Sequence, residues 1–308
     1  MKNYLHISNA EFGYEKTLIS EVNSNLKLGE ICLLIGSNGV GKTTLIKSLL
    51  GQIPLLKGEI FIKDKNIKDL SKEDLAKQIS VVFSKGEIPP QYTVYDLIAF
   101  GKYIHYPYYF KLNNDDKKEI DQIIENLHLS EFKNTYLHQL SDGNLQKAFI
   151  GRALAQNSPI IFLDEPTTHL DEENKIMILK LLRNLAENKD KIIFFSSHDW
   201  RIAKEFADKI WYVKDKILQH GISEDIILSN AELAAPQIFN IHKNFVPPKI
   251  SAPDLQKELL YSFLQKNYQK NLSHIHFSFL NNNWNISSNN QEIIAKKFED
   301  IIDILTNL

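Results

Sequence analysis

The segment Gly36-Ser37-Asn38-Gly39-Val40-Gly41-Lys42-Thr43 constrains this chain more than any other. It fits G-x-x-x-x-G-K-[ST], with an apolar run before it (Ile31-Cys32-Leu33-Leu34-Ile35) and a helical pattern over 44–50 after it. A strand, a glycine-rich loop and a helix in that order are the context in which this motif binds phosphate. The glycines let backbone N–H groups turn inward around an anion, and the helix adds its positive N-terminal end. Lys42 is expected to reach the β- and γ-phosphates, and the Thr43 hydroxyl to hold Mg²⁺. The expectation is a nucleoside triphosphate site.

A phosphate loop alone fits kinases, GTPases, helicases and transport ATPases. Three further segments narrow the choice. Ile160-Ile161-Phe162-Leu163-Asp164-Glu165 is an apolar strand ending in two carboxylates. Asp164 is expected to orient Mg²⁺, and Glu165 to polarise an attacking water as general base. Leu140-Ser141-Asp142-Gly143-Asn144 precedes a helix expected from near Leu145. Its hydroxyl and free backbone N–H groups make a second anion site. Two such sites for one phosphate chain make sense if the second serves a nucleotide held by a partner molecule. Finally, Phe194-Phe195-Ser196-Ser197-His198-Asp199 ends a strand in a polar cluster, where His198 could bond the γ-phosphate or the water.

Together these segments resemble the ATP-binding subunit of ABC transporters, over residues 1–230. The correspondence takes in Walker A at Gly36 to Thr43, the signature-like Leu140 to Asn144, and Walker B with Glu165. It extends to the D-loop Thr168-His169-Leu170-Asp171 and the switch His198. The resemblance implies ATP and Mg²⁺ as ligands, with catalytic roles for Glu165, His198 and Lys42 and metal contacts from Thr43 and Asp164. It implies nucleotide contacts from Gly36, Ser37, Asn38, Gly39, Gly41, Lys42, Thr43 and Thr44, with Tyr14 stacked on the adenine. Ser141, Gly143 and Asp171 complete the set. It also implies a homodimer that sandwiches two ATP molecules under integral membrane permease subunits. Thr93-Val94-Tyr95-Asp96-Leu97-Ile98-Ala99-Phe100-Gly101-Lys102-Tyr103 looks like a run found in importers of iron–siderophore, haem and cobalamin. Such importers receive substrate from a separate binding protein, and their ATPases sit on the cytoplasmic face of the cell membrane.

The chain departs from the family pattern at three positions. Ser84 stands where the family usually carries the Q-loop glutamine, Asp142 replaces a signature glycine, and Asn144 replaces a signature glutamine. These departures keep a second reading open: a slow-hydrolysing ATP-dependent switch, or an ABC protein not coupled to transport. No N-K-x-D base-reading motif of a GTPase is present.

At 308 residues the chain accommodates one large α/β domain and a smaller one. A formal charge of −2 gives no electrostatic reason to expect a nucleic-acid partner. The single Cys32 excludes an intrachain disulfide, and the first residues lack a signal-peptide core. Strands alternating with helices predict an α/β P-loop NTPase fold with a mostly parallel core sheet, accompanied in this family by antiparallel β and helical subdomains. The domain boundary is expected near residue 230, followed by a proline-punctuated linker. Beyond it the pattern predicts a small α+β appendage over 231–308. Its elements are a helix from Asp254, an alternating strand at 274–279, a second strand at 284–287 and a helix over 292–305. Ile294, Phe298, Ile301 and Leu305 would form the stripe of that last helix.

Overall fold

The computed structural model describes residues 3–83, 91–106, 111–168, 170–197, 205–230, 233, 245–268, 270–288 and 291–307. The chain divides into two compact units, Met1–Ile226 and Ile227–Leu308.

The first unit is organised by ten strands: β1 (Leu5–Gly13), β2 (Thr17–Leu26), β3 (Ile31–Gly36), β4 (Lys57–Ile62), β5 (Lys65–Asn66), β6 (Ile79–Val82), β7 (Ile160–Asp164), β8 (Ile192–Ser196), β9 (Lys209–Lys214) and β10 (Ile217–Ile222). They lie in the order β5-β4-β1-β2-β10-β9-β3-β8-β7-β6. The stretch from β9 to β6 is parallel, whereas β1, β2, β4 and β5 pair antiparallel. Every residue of β7 and β8 is buried. Strands covered on both faces read as continuous apolar runs, which is how both were visible in the sequence. Phe162, Phe194 and Trp211 form an edge-to-face chain across the core, with ring centroids 5.0 and 5.1 Å apart.

Among the described residues, helices frame this sheet: α1 (Lys42–Leu49), α2 (Lys72–Gln78), α3 (Val94–Phe100), α4 (Asn114–Asn126), α5 (Asp142–Ala155) and α6 (Glu172–Lys189). Each of α2 to α6 opens on a side-chain cap, from Ser71, Thr93, Asn113, Ser141 and Asp171. The polar stretch 113–116 is therefore a helix start, with the Asn113 side chain accepting from the Asp116 N–H at 2.7 Å. The short helix Ser223–Ser229 follows β10.

In the second unit, β11 (Lys249–Ser251), β12 (His276–Leu280), β13 (Asn283–Ser288) and β14 (Gln291–Ala295) form a four-stranded sheet. β11 runs parallel to β12, and the other pairs are antiparallel. The helices Asp254–Asn267 and Phe298–Asn307 supply Leu260, Leu264, Ile301 and Leu305 to its core. The expected helix over 292–305 is corrected here. Residues 291–295 are a strand paired with β13, Ile293 opposite Ile286, and helix begins at Phe298. Ile294 is 64% exposed and does not belong to the buried stripe.

Candidate functional site

The register of the parallel strands assembles the site. Gly36, the last residue of β3, lies opposite Val213 of β9, and Asp164 at the end of β7 lies opposite Ser196 at the end of β8. Strand ends that finish level present their following loops on one edge, where parallel α/β sheets bind ligands.

The phosphate loop leaves β3 at Gly36. A Cβ there would meet the Val213 carbonyl at 2.9 Å and Val40 Cγ1 at 2.8 Å, so the strand-to-loop exit is packed too closely for a side chain. Gly39 has φ +77°, and a Cβ built on it would meet nothing within 4 Å. That position needs glycine for its backbone conformation, and the space above it is open. α1 starts at Lys42 behind Gly41, whose carbonyl accepts the Leu45 N–H at 2.8 Å. Lys42 is buried, and its ammonium donates to the carbonyls of Gly36 at 2.7 Å and Ser37 at 3.1 Å. Burial lowers its pKa, while the charges of Glu165 and Asp164 oppose that shift. Thr44 continues α1 behind the loop. Tyr14 follows the last residue of β1 with 60% of its surface exposed.

Asp164 is 5% exposed and holds two hydroxyls, one on each oxygen. Thr43 Oγ1 donates to Oδ2 at 3.2 Å, and Ser196 Oγ donates to Oδ1 at 2.6 Å. Ser196 Oγ also accepts the Glu165 N–H at 3.0 Å. Glu165 has φ +56°, which turns the chain sharply just after Asp164. A hydroxyl and a carboxylate facing each other are hard oxygen donors, the set that Mg²⁺ takes beside a phosphate chain. The residues present fit both a phosphate chain and that ion.

α5 begins at Asp142, earlier than expected, so Gly143 and Asn144 lie in its first turn. Ser141 is the cap: its Oγ accepts the Asn144 N–H at 3.4 Å. Ser141 and Asp142 are exposed, leaving this helix start open to an anion from outside the protomer. Asp171 caps α6, accepting the Asn174 N–H at 2.8 Å, and these backbone and side-chain bonds hold its carboxyl below the usual range. Two residues that sequence reasoning missed sit between these caps. Lys147, 5% exposed, donates to Asn174 Oδ1 at 3.3 Å, while Asn174 Nδ2 donates to Asp171 at 2.9 Å. Ser196 was likewise visible only as part of a polar strand end. His198, His169 and Ser84 lie outside the described residues.

Comparison with known proteins agrees with this geometry. The ABC transporter family profile matches residues 19–168. The petrobactin import ATP-binding protein FpuD of Bacillus anthracis is 32% identical over 74% of this chain and 84% of its own length. The iron(3+)-hydroxamate import ATP-binding protein FhuC of Bacillus subtilis is 28% identical over 82% and 93% respectively. Among solved structures, a dimeric ATP-binding cassette in a post-hydrolysis state, bound to ADP and Pi, superposes with a TM-score of 0.64 at 27% identity. That match covers 71% of this chain and 98% of the cassette. A phosphate loop closed from below by β9, a carboxylate pair held by β8 and this degree of likeness have one reading: the chain belongs to the ATP-hydrolysing, ATP-binding subunits of the ABC transporter family.

Proposed function

We propose that this chain powers the import of an iron–siderophore or related metal chelate, working as a homodimer bound to permease subunits at the cytoplasmic face of the membrane. Relatives named for petrobactin and iron-hydroxamate import support the substrate class. No helix among the described residues is long and apolar enough to cross a membrane, and in this reading the permease subunits span it.

The observation that carries the importer reading is a groove of about 1030 Å³ between α2, the α3 end and the Ile53–Leu55 segment. Phe100 and Tyr103 stack with centroids 5.4 Å apart, are 44% and 53% exposed, and line this groove. Arg152 of α5 and Gln156 just after its last residue line it as well, on the helix that Ser141 caps. A helical segment of a permease seated there would press on the element that carries the second anion site.

In the closed dimer each ATP lies on one copy's phosphate loop and under the other copy's Ser141 and Gly143. Lys42 leaves its loop carbonyls for the phosphate oxygens and offsets their charge. Thr43 and Asp164 would hold Mg²⁺, which would supply charge neutralisation on the phosphates. Water attacks the γ-phosphorus in line, Glu165 takes its proton, and the bond to the ADP oxygen breaks to release phosphate. His198, two residues beyond Ser196 in the sequence, is assigned the γ-phosphate bond that the family resemblance implies. The 1–230 segment carries this chemistry, and 231–308 forms a separate appendage.

The test is purification of the tagged chain from its native membranes in detergent. A polytopic permease is expected in one-to-one ratio, and Phe100→Asp with Tyr103→Asp should release it without changing ATP binding. Quantitative recovery of the wild-type chain in the aqueous extract would favour the reading as an uncoupled ATP switch.

A further inference from the structure

We infer that Ser196 is the positioning residue of the nucleotide–metal centre: its hydroxyl fixes the Asp164 carboxylate and the Glu165 peptide together. The inference rests on the ATPase reading above.

A serine hydroxyl has one proton and two lone pairs. An ionised carboxylate only accepts, so the proton of Ser196 goes to Asp164 Oδ1, at 2.6 Å. That leaves a lone pair for the Glu165 N–H, at 3.0 Å. One atom, fully buried, thus bonds two consecutive residues of the neighbouring strand end. The β7–β8 register puts it there, since Asp164 and Ser196 are direct neighbours across the parallel pair.

The two bonds have separate consequences. With Oδ1 occupied by Ser196, Asp164 presents Oδ2 toward Thr43, which is the side where a divalent ion would sit. A carboxylate held this way keeps one orientation whether or not the ion is bound, and partners of this kind commonly set metal affinity by tenfold or more. The second bond acts on the turn. Glu165 sits at φ +56°, where a residue with a Cβ is strained, and an acceptor on its N–H keeps the backbone there. Ser196 therefore decides both where the metal-holding oxygen points and how the Glu165 side chain leaves the strand.

Ser80 provides a matched control. It is as buried as Ser196, lies in β6, and its hydroxyl has no hydrogen-bond partner among the described residues. Removing that hydroxyl changes a buried serine without touching the site.

The experiment titrates Mn²⁺ into full-length protein carrying a non-hydrolysable ATP analogue and follows the bound ion by electron paramagnetic resonance. Metal-free binding of the same analogue is measured in parallel. Ser196→Ala should weaken Mn²⁺ binding about tenfold and leave metal-free analogue binding within about twofold. Ser196→Thr, which keeps the hydroxyl, should restore most of the Mn²⁺ affinity, and Ser80→Ala should behave as wild type. Unchanged Mn²⁺ affinity in Ser196→Ala overturns the inference. An equal loss in metal-free and metal-dependent binding also overturns it, because that pattern belongs to packing. Wild-type protein that binds neither analogue nor Mn²⁺ would instead overturn the ATPase reading itself.

Discussion

The ammonium of Lys147 and the carboxylate of Asp171 are joined through a single amide, that of Asn174. Its oxygen accepts from Lys147 at 3.3 Å, and its nitrogen donates to Asp171 at 2.9 Å. This ties the second turn of α5 to the cap of α6. Since α5 opens at Ser141, which the dimer reading assigns to the partner's ATP, a change at the α6 cap is felt at that helix.

Lys147→Met should separate stability from function. Replacing a buried charge by an apolar chain of similar length changes stability little or raises it, within about 1 kcal/mol. ATP-driven dimerisation and turnover should fall, while nucleotide binding to the isolated protomer stays. Equal turnover in mutant and wild type would reduce the bridge to packing.

The same lysine gives a pH signature. Burial lowers its pKa below the ordinary 10.5, with Asp171 opposing the shift. Between its lowered value and 10.5 the unfolded chain binds more protons at this site than the folded chain, so this group's contribution to stability rises with pH there. Denaturant midpoints compared between wild type and Lys147→Met should therefore move in favour of wild type as pH increases into that window.

Glu165→Gln keeps the side chain's size and removes its basicity. Hydrolysis should drop by roughly 10²–10⁴-fold with ATP binding intact. Phosphate release under saturating ATP is the measurement, and wild-type turnover would displace Glu165 as the base.

Two glycines of the loop should respond differently. Gly36→Ala drives a methyl against the Val213 carbonyl, which is backbone and cannot rotate away. ATP affinity should fall more than tenfold, with loss of thermal stability. Gly39→Ala meets open space and is subject only to the left-handed conformational penalty, about 1–2 kcal/mol. Paired melting curves and nucleotide titrations distinguish the two.

Trp284 packs against Phe277, Phe279 and Phe298 and is 4% exposed. Trp284→Ala should cost the second unit about 3–5 kcal/mol. Hydrogen exchange should then accelerate in 245–307 while nucleotide affinity is unchanged. A parallel loss of ATP binding would argue against treating the units as separate.

What was legible in the sequence is what short-range chemistry determines. The phosphate loop and the Asp164-Glu165 pair announce themselves because each function needs particular atoms at fixed chain spacing. β7 and β8 were readable because full burial demands unbroken apolar runs. Ser196 and Lys147 were not legible in role, since their partners lie on other elements and only strand register or helix packing brings them together. The 291–295 segment was misread for a related reason. Its apolar spacing with Phe298, Ile301 and Leu305 fits a helix, yet pairing with β13 overrides that local period. The β9–β10 hairpin carries its own signal, the apolar Ile210-Trp211-Tyr212-Val213 run and an Asp215-Lys216 turn at positive φ, which the expectations above do not include.

The placement of β3 has a consequence for synthesis. The strand that roots the phosphate loop is made early, but both its sheet neighbours, β8 and β9, come from residue 192 onward. Until the ribosome has delivered them, Ile31 to Ile35 is an unpaired apolar segment, and the floor under Gly36 does not exist. Contacts so distant along the chain close slowly, after the intervening helices have formed. The emerging polypeptide therefore carries the complete nucleotide motif well before it carries a nucleotide site, and ATP can reward folding of the first unit only after β8 and β9 have emerged.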